Sequence, residues 1–306
     1  MKAVVYTKYG SPEVLQFKDV EKPTPKGNEV LIKIHATTVA AADVRMRKAD
    51  PFLVRIFNGL FNPKKVNVLG LELAGEIVET GSSVKKFKKG DKVLASPGFK
   101  FGGYAEYIAM PENAAIATMP VSLTYTEAAT IPVGSITALY FLKGKGKIQN
   151  GQNVLIYGAS GSVGTYAVQL AKYFGATVTA VCSTANAELM RSLGVENVID
   201  YTKQDFTKSE KQYDMIFDAV GKVSKSDLVN ILNPNGKFVS VKKGDGMHYS
   251  EHLSFLTELI AAGRLKPVID TVYSFEEIVA AHAYVEKGHK KGNVAIAITG
   301  NTSPIS

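Results

Sequence analysis

Cysteine is nearly absent from this chain: Cys182 is the only one in 306 residues. A disulfide framework and a multi-cysteine zinc lobe are thereby excluded, and a reducing compartment fits. Long apolar runs are missing as well. No stretch approaches the roughly 18 consecutive apolar residues that a membrane-spanning helix needs. The opening MKAVVYTKYG passes directly into alternating, strand-like sequence with no signal-peptide core, so a cytoplasmic chain without a membrane partner is expected. Repeats and low-complexity tracts are also lacking. With 45% hydrophobic and 21% charged residues, disordered, fibrous and coiled-coil readings fall away and one or two globular domains remain.

The charge balance is basic. Lys and Arg number 36 against 28 Asp and Glu, which leaves +8 and an isoelectric point near 9.2. That balance favours an anionic partner such as a nucleotide cofactor or nucleic acid. The cations come in short pieces, Lys64-Lys65, 85–89, Lys242-Lys243 and Lys290-Lys291, with no long tract or aromatic-basic alternation. Solvated surface is therefore their default reading, and nucleic acid is the disfavoured partner.

Two rhythms divide the chain. Through about residue 122, short alternating or apolar runs at 3–6, 29–34, 73–79, 92–95 and 104–109 are separated by Gly, Pro and Lys punctuation, which predicts a compact barrel-like β module. Residues 40–61 interrupt it with helical character and carry Phe52, Phe57 and Phe61, read either as substrate-pocket lining or as buried core or a lid face. From 123 to 265, strands at 153–157, 177–181, 197–200, 213–220 and 236–241 alternate with helices near 126–142, 162–174, 185–193, 225–232 and 251–262. That alternation predicts βαβ units on a parallel sheet, a Rossmann-type domain. The tail 266–306, with a helix over 276–287 and a strand over 293–299, is too short to fold alone and is expected to complete the first module. The fold class expected is thus α/β, a Rossmann-type parallel sheet beside a β-barrel catalytic domain.

One stretch carries chemistry. NVLIYGASGSVGTYAVQLAKYFGATVTAVCS runs from an apolar strand into Gly158, Ala159, Ser160, Gly161, Ser162, Val163 and Gly164, then into a helix and a second strand. Small residues let the backbone approach a pyrophosphate, and the following helix N-terminus offers outward amides and a favourable dipole. Dinucleotide binding follows, with Ala159 standing where the usual fingerprint has its first Gly. An NAD-preferring domain normally ends its second strand with an acid that binds the ribose 2′-hydroxyl. Here that strand ends Val181-Cys182-Ser183-Thr184, and no acid occurs between Gly164 and Glu188. The position admits a 2′-phosphate, so NADPH is the expected cofactor, although Ala185, Asn186 and Ala187 supply no cation.

The chain resembles the zinc-independent, zeta-crystallin-like quinone oxidoreductases of the medium-chain dehydrogenase/reductase superfamily over essentially its whole length. The matching pieces are MKAVVYTKYGSPEVL, GLELAGEIVETG, KKGDKVLA, GGYAEY, AATIPVGSITAL, GASGSVGTYAVQLAK, VIDY and GRLKPVIDTVYSFEEIVAAHAYVEKGHKKGNVAI. The resemblance implies a GroES-like catalytic domain completed by the tail, a Rossmann domain, a cleft between them and a homodimer. It also implies NADPH-dependent reduction of quinones or α,β-unsaturated carbonyls. Carried over by position, Ser183 and Thr184 match the adenosine-ribose end, Tyr201 matches a tyrosine beside the 2′-phosphate, and Thr137 matches a threonine near the nicotinamide. The plain alternative for Thr137 is a helix hydroxyl bonded to its own backbone. Lys290 and Lys291 reach the phosphate or remain solvated surface.

Departures from the pattern are informative. Zinc-dependent members of the superfamily place a Cys near 40–43, a His in a Gly-His-Glu motif and a Cys or His near 133–137; here Ala41, Ala42, Leu71 and Val133 stand there. No metal is expected. His248 and His252 have i,i+4 spacing but no third ligand, and a surface helix start is the preferred reading. Of an Asn-Pro-x-Asp stretch only Asp43 remains, read as ordering the active-site loop or capping the next helix. Relatives that reduce enoyl thioesters use a tyrosine within the region matching 45–65, where this chain has none. Tyr104 is read as a pocket residue or ordinary strand packing. An aldehyde or alcohol oxidoreductase, and a non-enzymatic NADPH- and RNA-binding protein, are the competing functions.

Overall fold

The computed structural model describes residues 1–243 and 250–298. In chain order its elements begin with β1 (Lys2–Val5), β2 (Gln16–Asp19), β3 (Glu29–Thr38), α1 (Ala41–Lys48), α2 (Leu53–Asn58), β4 (Leu73–Thr80), β5 (Lys92–Ser96), β6 (Tyr107–Pro111), β7 (Ala115–Thr118) and α3 (Tyr125–Ala129). Next come α4 (Pro132–Leu139), β8 (Asn153–Tyr157), α5 (Ser162–Tyr173), β9 (Thr177–Cys182), α6 (Ala187–Ser192), β10 (Asn197–Asp200), β11 (Tyr213–Asp218) and β12 (Leu232–Ser240). The chain closes with α7 (Ser250–Ala261), β13 (Ile269–Ser274), α8 (Ile278–Glu286) and β14 (Asn293–Ala297). No helix among the described residues is long and apolar enough to cross a membrane.

These elements fall into two compact units. The first comprises Met1–Val133 with Tyr249–Ala261 and Ile269–Ser306; the second comprises Gly134–His248 with Ala262–Val268. The sequence predicts boundaries at 122/123 and 265/266, whereas the units divide at 133/134, 248/249, 261/262 and 268/269. The physical reason is packing: α3 contacts β3, β4 and β14, and α7 contacts β7, so both helices count with the first unit.

In the first unit β3 organises the sheet. One edge pairs antiparallel with β4, while the other is shared by β6 at Glu29–Lys33 and β14 at Ala36–Thr38. The ladder runs β13-β14-β3-β4-β5-β7. Period-two alternation puts Val30, Ile32 and Ile34 on one face, where they bury with Leu73, Ile77, Val93 and Met110. A second core gathers Val4, Tyr6, Val44, Leu69 and Tyr104 with Ile278, Ala281, Val285, Val294 and Ile296 of the tail. The tail therefore buries its apolar side chains in the first unit.

The second unit holds a five-stranded sheet, β10-β9-β8-β11-β12, parallel throughout. Its central strands are apolar on both faces, as a sheet covered by helices requires.

Several elements differ from their sequence reading. The helical stretch over 40–61 is two short helices, because Ala49 turns left-handed at φ 55° and Pro51 disfavours helix in the residue before it. Pro132 likewise divides 126–142 into α3 and α4. The helix expected over 225–232 is a single turn, Lys225–Leu228, and β12 starts four residues early across a register shift opposite Tyr213 and Met215. Strand β6 begins at Tyr107 rather than Tyr104, since Gly103 and Tyr104 bond instead to Gly70 and Leu69. Strand β2 escaped the reading because all four residues are exposed and show no alternation. His248, half of the i,i+4 pair, lies outside the described residues; its partner His252 sits on α7.

Candidate functional site

The glycine turn of the second unit sits between the C-terminal end of β8 and the first turn of α5. Gly158 has φ +76°, a conformation that disfavours a side chain, and its position is closed by Val220, whose Cγ2 would lie 2.2 Å from a Cβ placed there. A Cβ on Gly164 would collide with the Gly158 carbonyl at 2.2 Å, so that glycine permits α5 to pack onto the turn. Gly161 is different. A Cβ there meets only the Gly158 oxygen, at an ordinary 3.5 Å. The protein itself places nothing against Gly161, so its small size is explained by a ligand approaching the backbone in front of the α5 amides. The chain's residues thus fit a dinucleotide at this turn.

Around the turn, Ala159 is fully buried and its amide, with that of Gly158, donates to the Val181 carbonyl at 3.2 and 3.1 Å. Ser160 accepts from Asn186 Nδ2 at 2.9 Å, which ties the end of β9 to the turn; Asn186 Oδ1 is buried with no hydrogen-bond partner among the described residues. Ser162 and Val163 open α5, and the Gly161 carbonyl accepts the Thr165 amide at 2.9 Å. Thr137 is buried on α4. Gly134, one turn earlier on that helix, approaches α5 so closely that a Cβ would meet Ser162 Oγ at 2.8 Å and the Tyr166 ring at 2.9 Å. Residues three apart share a helix face, so Thr137 lies on the side of α4 turned toward α5.

At the ribose end, parallel pairing sets Asp200 of β10 against Cys182 of β9. The neutral environment expected there is corrected by this register. The Thr184 hydroxyl donates to Asp200 Oδ2, and Thr202 donates to Oδ1 through its hydroxyl at 2.6 Å and its amide at 3.0 Å. These bonds hold the Asp200 carboxyl below the usual carboxylate range. A cation, also unforeseen, stands beside it: Lys203 Nζ lies 3.9 Å from Asp200 Oδ2. Ser183 is half-buried at the start of the turn after β9. Tyr201 is exposed, its amide bonded to the Cys182 carbonyl at 3.1 Å, and it lines a cavity of about 430 Å³ with Tyr157, Lys203 and Phe206.

Asp218 was missed altogether. Fully buried at the end of β11, it accepts from the amides of Val220, Gly221 and Val223 at 2.8 to 3.0 Å and from Ser240 Oγ at 3.1 Å. It thereby shapes the loop whose Val220 closes over Gly158. The available signal was an apolar strand ending in Asp-Ala-Val-Gly, with Gly221 at φ +82°.

The first unit carries a buried polar centre. Asp43 caps α1 through the Ala40 amide at 2.9 Å and also accepts the Gly70 amide at 2.9 Å. It is fully buried, and burial pushes its carboxyl up to about 7. Tyr104, also fully buried, donates to Asp43 and meets His282 Nε2 at 3.0 Å. That placement corrects Tyr104 as a pocket side chain: its hydroxyl is held between Asp43 and His282, and it positions Asp43. Burial, reinforced by Arg47, lowers His282 to about 3, so the ring is neutral. Arg47 is buried and pairs with Glu286 at 2.6 Å, where Lys48 joins at 2.6 Å.

Glu72 was also missed. Its side chain accepts from Thr38 Oγ1 at 2.7 Å and the Val133 amide at 2.8 Å, and burial raises it to about 7. Lys290 donates to the Gly292 carbonyl at 2.5 Å, and its desolvated ammonium falls to about 8 despite the attraction of Glu72 and Asp270. Lys290 is half-buried rather than fully solvated. Among the described residues no group of three or more His, Cys, Asp and Glu is arranged to hold a metal ion.

A parallel sheet whose glycine turn leaves backbone space open at Gly161, together with a mostly antiparallel unit built around buried carboxyls, defines a two-unit α/β nicotinamide oxidoreductase. Family comparison agrees: residues 26–121 match the alcohol dehydrogenase GroES-like domain, and residues 193–296 match the zinc-binding dehydrogenase family. The 2-methylene-furan-3-one reductase of Solanum lycopersicum is 36% identical, covering 97% of this chain and 79% of that one. The chloroplastic NADPH-dependent alkenal/one oxidoreductase of Arabidopsis thaliana is 33% identical over 97% and 79%. Among solved structures, the quinone oxidoreductase from Coxiella burnetii superposes with a TM-score of 0.87 at 29% identity, covering 98% of this chain and 99% of that one. The chain belongs to the zinc-independent quinone oxidoreductases of the medium-chain dehydrogenase/reductase superfamily.

Proposed function

We propose that the protein catalyses NADPH-dependent reduction of quinones or α,β-unsaturated carbonyls. The observation that carries this reading is the turn at Gly158–Gly164, with backbone space left open at Gly161, in a chain whose relatives are named for that chemistry. When bound, the nicotinamide supplies the hydride. The chain's own part is binding and orientation. Gly161 and the first turn of α5 receive the pyrophosphate, Asp218 shapes the loop over Gly158, and Asn186 joins the ribose end to Ser160.

The preference for NADPH over NADH rests on the hydroxyls of Ser183, Thr184 and Tyr201, on Lys203, and on the lack of an acid at the end of β9 itself. Asp200 opposes it, so the preference is about tenfold. A homodimer is part of the proposal: β12 ends the parallel sheet, and a second copy adding along its outer edge would extend it, which sedimentation tests. A cytoplasmic location is proposed on the single, buried Cys182, and subcellular fractionation tests it.

The deciding experiment is NADPH oxidation across a panel of quinones, 2-alkenals and simple aldehydes. Turnover of quinones or alkenals is expected. Activity confined to aldehydes would replace the reading with an aldehyde or alcohol reductase, and salt-dependent RNA binding without NADPH oxidation would replace it with a binding protein.

A further inference from the structure

The glycine turn adjoins the first turn of α5, and the last turn of that helix borders a cavity of about 340 Å³ within the second unit. At about 1.5 Å per residue, the twelve residues of α5 hold the two places roughly 18 Å apart. Lys172 and Tyr173 of α5 line the cavity together with Ser192 of α6 and with Arg264 and Lys266, and no Asp or Glu does. Three cations thus share one concave space, where charge of a single sign focuses the field and raises the local concentration of an anion.

The fold places these cations. Gln169 pairs with the Lys266 backbone in both directions, its Nε2 donating to the carbonyl at 3.0 Å and its Oε1 accepting the amide at 2.8 Å. Arg264 and Lys266 stand exposed on either side of the buried Leu265, and neither pairs with a carboxylate among the described residues. Lys172 Nζ donates to the Leu193 and Gly194 carbonyls at 3.1 and 2.6 Å. Gly194, at φ +75°, leaves it room, since a Cβ there would lie 2.1 Å from Nζ. An ammonium carries three N–H groups, so one remains for a ligand. A helix C-terminus ordinarily repels an anion through its unpaired carbonyls. Here those of Leu170, Ala171 and Lys172 accept the amides of Phe174, Ala176 and Gly175, and Lys172 covers the carbonyls that follow α6.

We propose that this cavity binds a phosphate dianion, free or esterified on a small molecule, at a site separate from the glycine turn. The Arg264 guanidinium offers phosphate a planar fork of donors, and Lys266 and Lys172 add point charges. The Tyr173 ring, 46% exposed, lines the space for the group that an ester carries. The inference stands independently of the reductase reading.

Calorimetric titration of the full chain with inorganic phosphate and with ribose 5-phosphate, each with and without saturating NADPH, tests the site. One equivalent per chain is expected to bind with a Kd of about 1 mM or lower, weakening as salt rises and unchanged by NADPH. Tighter binding of ribose 5-phosphate would assign the site to a phosphate ester, and equal binding of both probes would assign it to the free ion. The variant R264S/K266S alters exposed side chains and keeps the backbone that Gln169 holds, so its melting curve and NADPH affinity are expected to match wild type while phosphate affinity falls about tenfold or more. Lys172 is left intact because its loss would also uncover two carbonyls. G161V is expected to bind phosphate as wild type does. Absence of saturable binding of both probes, or unchanged binding in R264S/K266S, would overturn the proposal. Displacement of phosphate by NADPH, or its loss in G161V, would overturn it in favour of the glycine turn.

Discussion

Single residues decide the cofactor chemistry. Gly161 is the sharpest case, because a Cβ there meets no part of the protein closer than 3.5 Å and its backbone is ordinary extended chain at φ −80°. The variant G161V is therefore expected to keep its fold, with an unfolding midpoint within about 3 °C of wild type, while NADPH affinity falls about a hundredfold or more. Titration of cofactor fluorescence beside a melting curve checks both halves; unchanged affinity would mean that the turn does not receive the pyrophosphate. The ribose end offers a second case. Lys203 is exposed and Asp200 half-buried at the surface, where screening keeps each effect modest. D200N is expected to raise NADPH affinity about fivefold and K203E to lower it by a similar factor, with NADH changing less than about twofold. Equal responses of the two cofactors would place both residues away from the 2′-phosphate.

At the scale of elements, Glu72 ties the start of β4 to β3 through Thr38 and to the start of α4 through the Val133 amide. Burial holds its proton to about pH 7 against an ordinary 4.5. Folded protein then binds more protons than unfolded chain between about pH 4.5 and 7, so the Glu72 contribution to stability declines as pH rises through that window. Asp43 acts in the same direction, while His282, lowered to about 3, acts oppositely from 3 to 6.5 because the unfolded chain holds the extra proton there. The comparison of wild type with E72Q isolates the one carboxyl. The stability of E72Q relative to wild type is expected to climb by up to about 3 kcal/mol from pH 4.5 to 8, read from denaturant unfolding at several pH values. A pH-independent difference would show that Glu72 titrates near its ordinary value.

For the whole molecule, the prediction concerns metal. The positions of the three superfamily zinc ligands carry Ala, Leu and Val, and no metal-holding group occurs among the described residues. Elemental analysis of purified protein is expected to find less than about 0.1 zinc per chain, and reductase activity is expected to persist after prolonged chelation; loss of activity that zinc restores would contradict this. The basic balance of +8 belongs to this scale too, since it raises the local concentration of a polyanionic cofactor without specifying where the cofactor sits.

By itself the sequence determined the parallel sheet with its crossover helices, the glycine turn, and the missing zinc ligands. Each of these is written in consecutive residues: apolar runs of strand length, small residues at a strand-to-helix junction, and Ala or Leu where a ligand would stand. Tertiary structure alone decided the rest. Tyr104 meets His282 across 178 positions, Asp200 reaches Thr184 only through the register of two parallel strands, and Glu72 finds Val133 across 61. Such meetings depend on which strands pair and which helix packs where, and no local spacing encodes them. The same holds for Phe52, Phe57 and Phe61. The sequence left pocket lining, buried core and a lid face open for them, and the buried Asn58 takes the inward side of the segment while they stand exposed. Hydrophobicity states that a side chain gains by leaving water; only the packed fold supplies the place where it can do so.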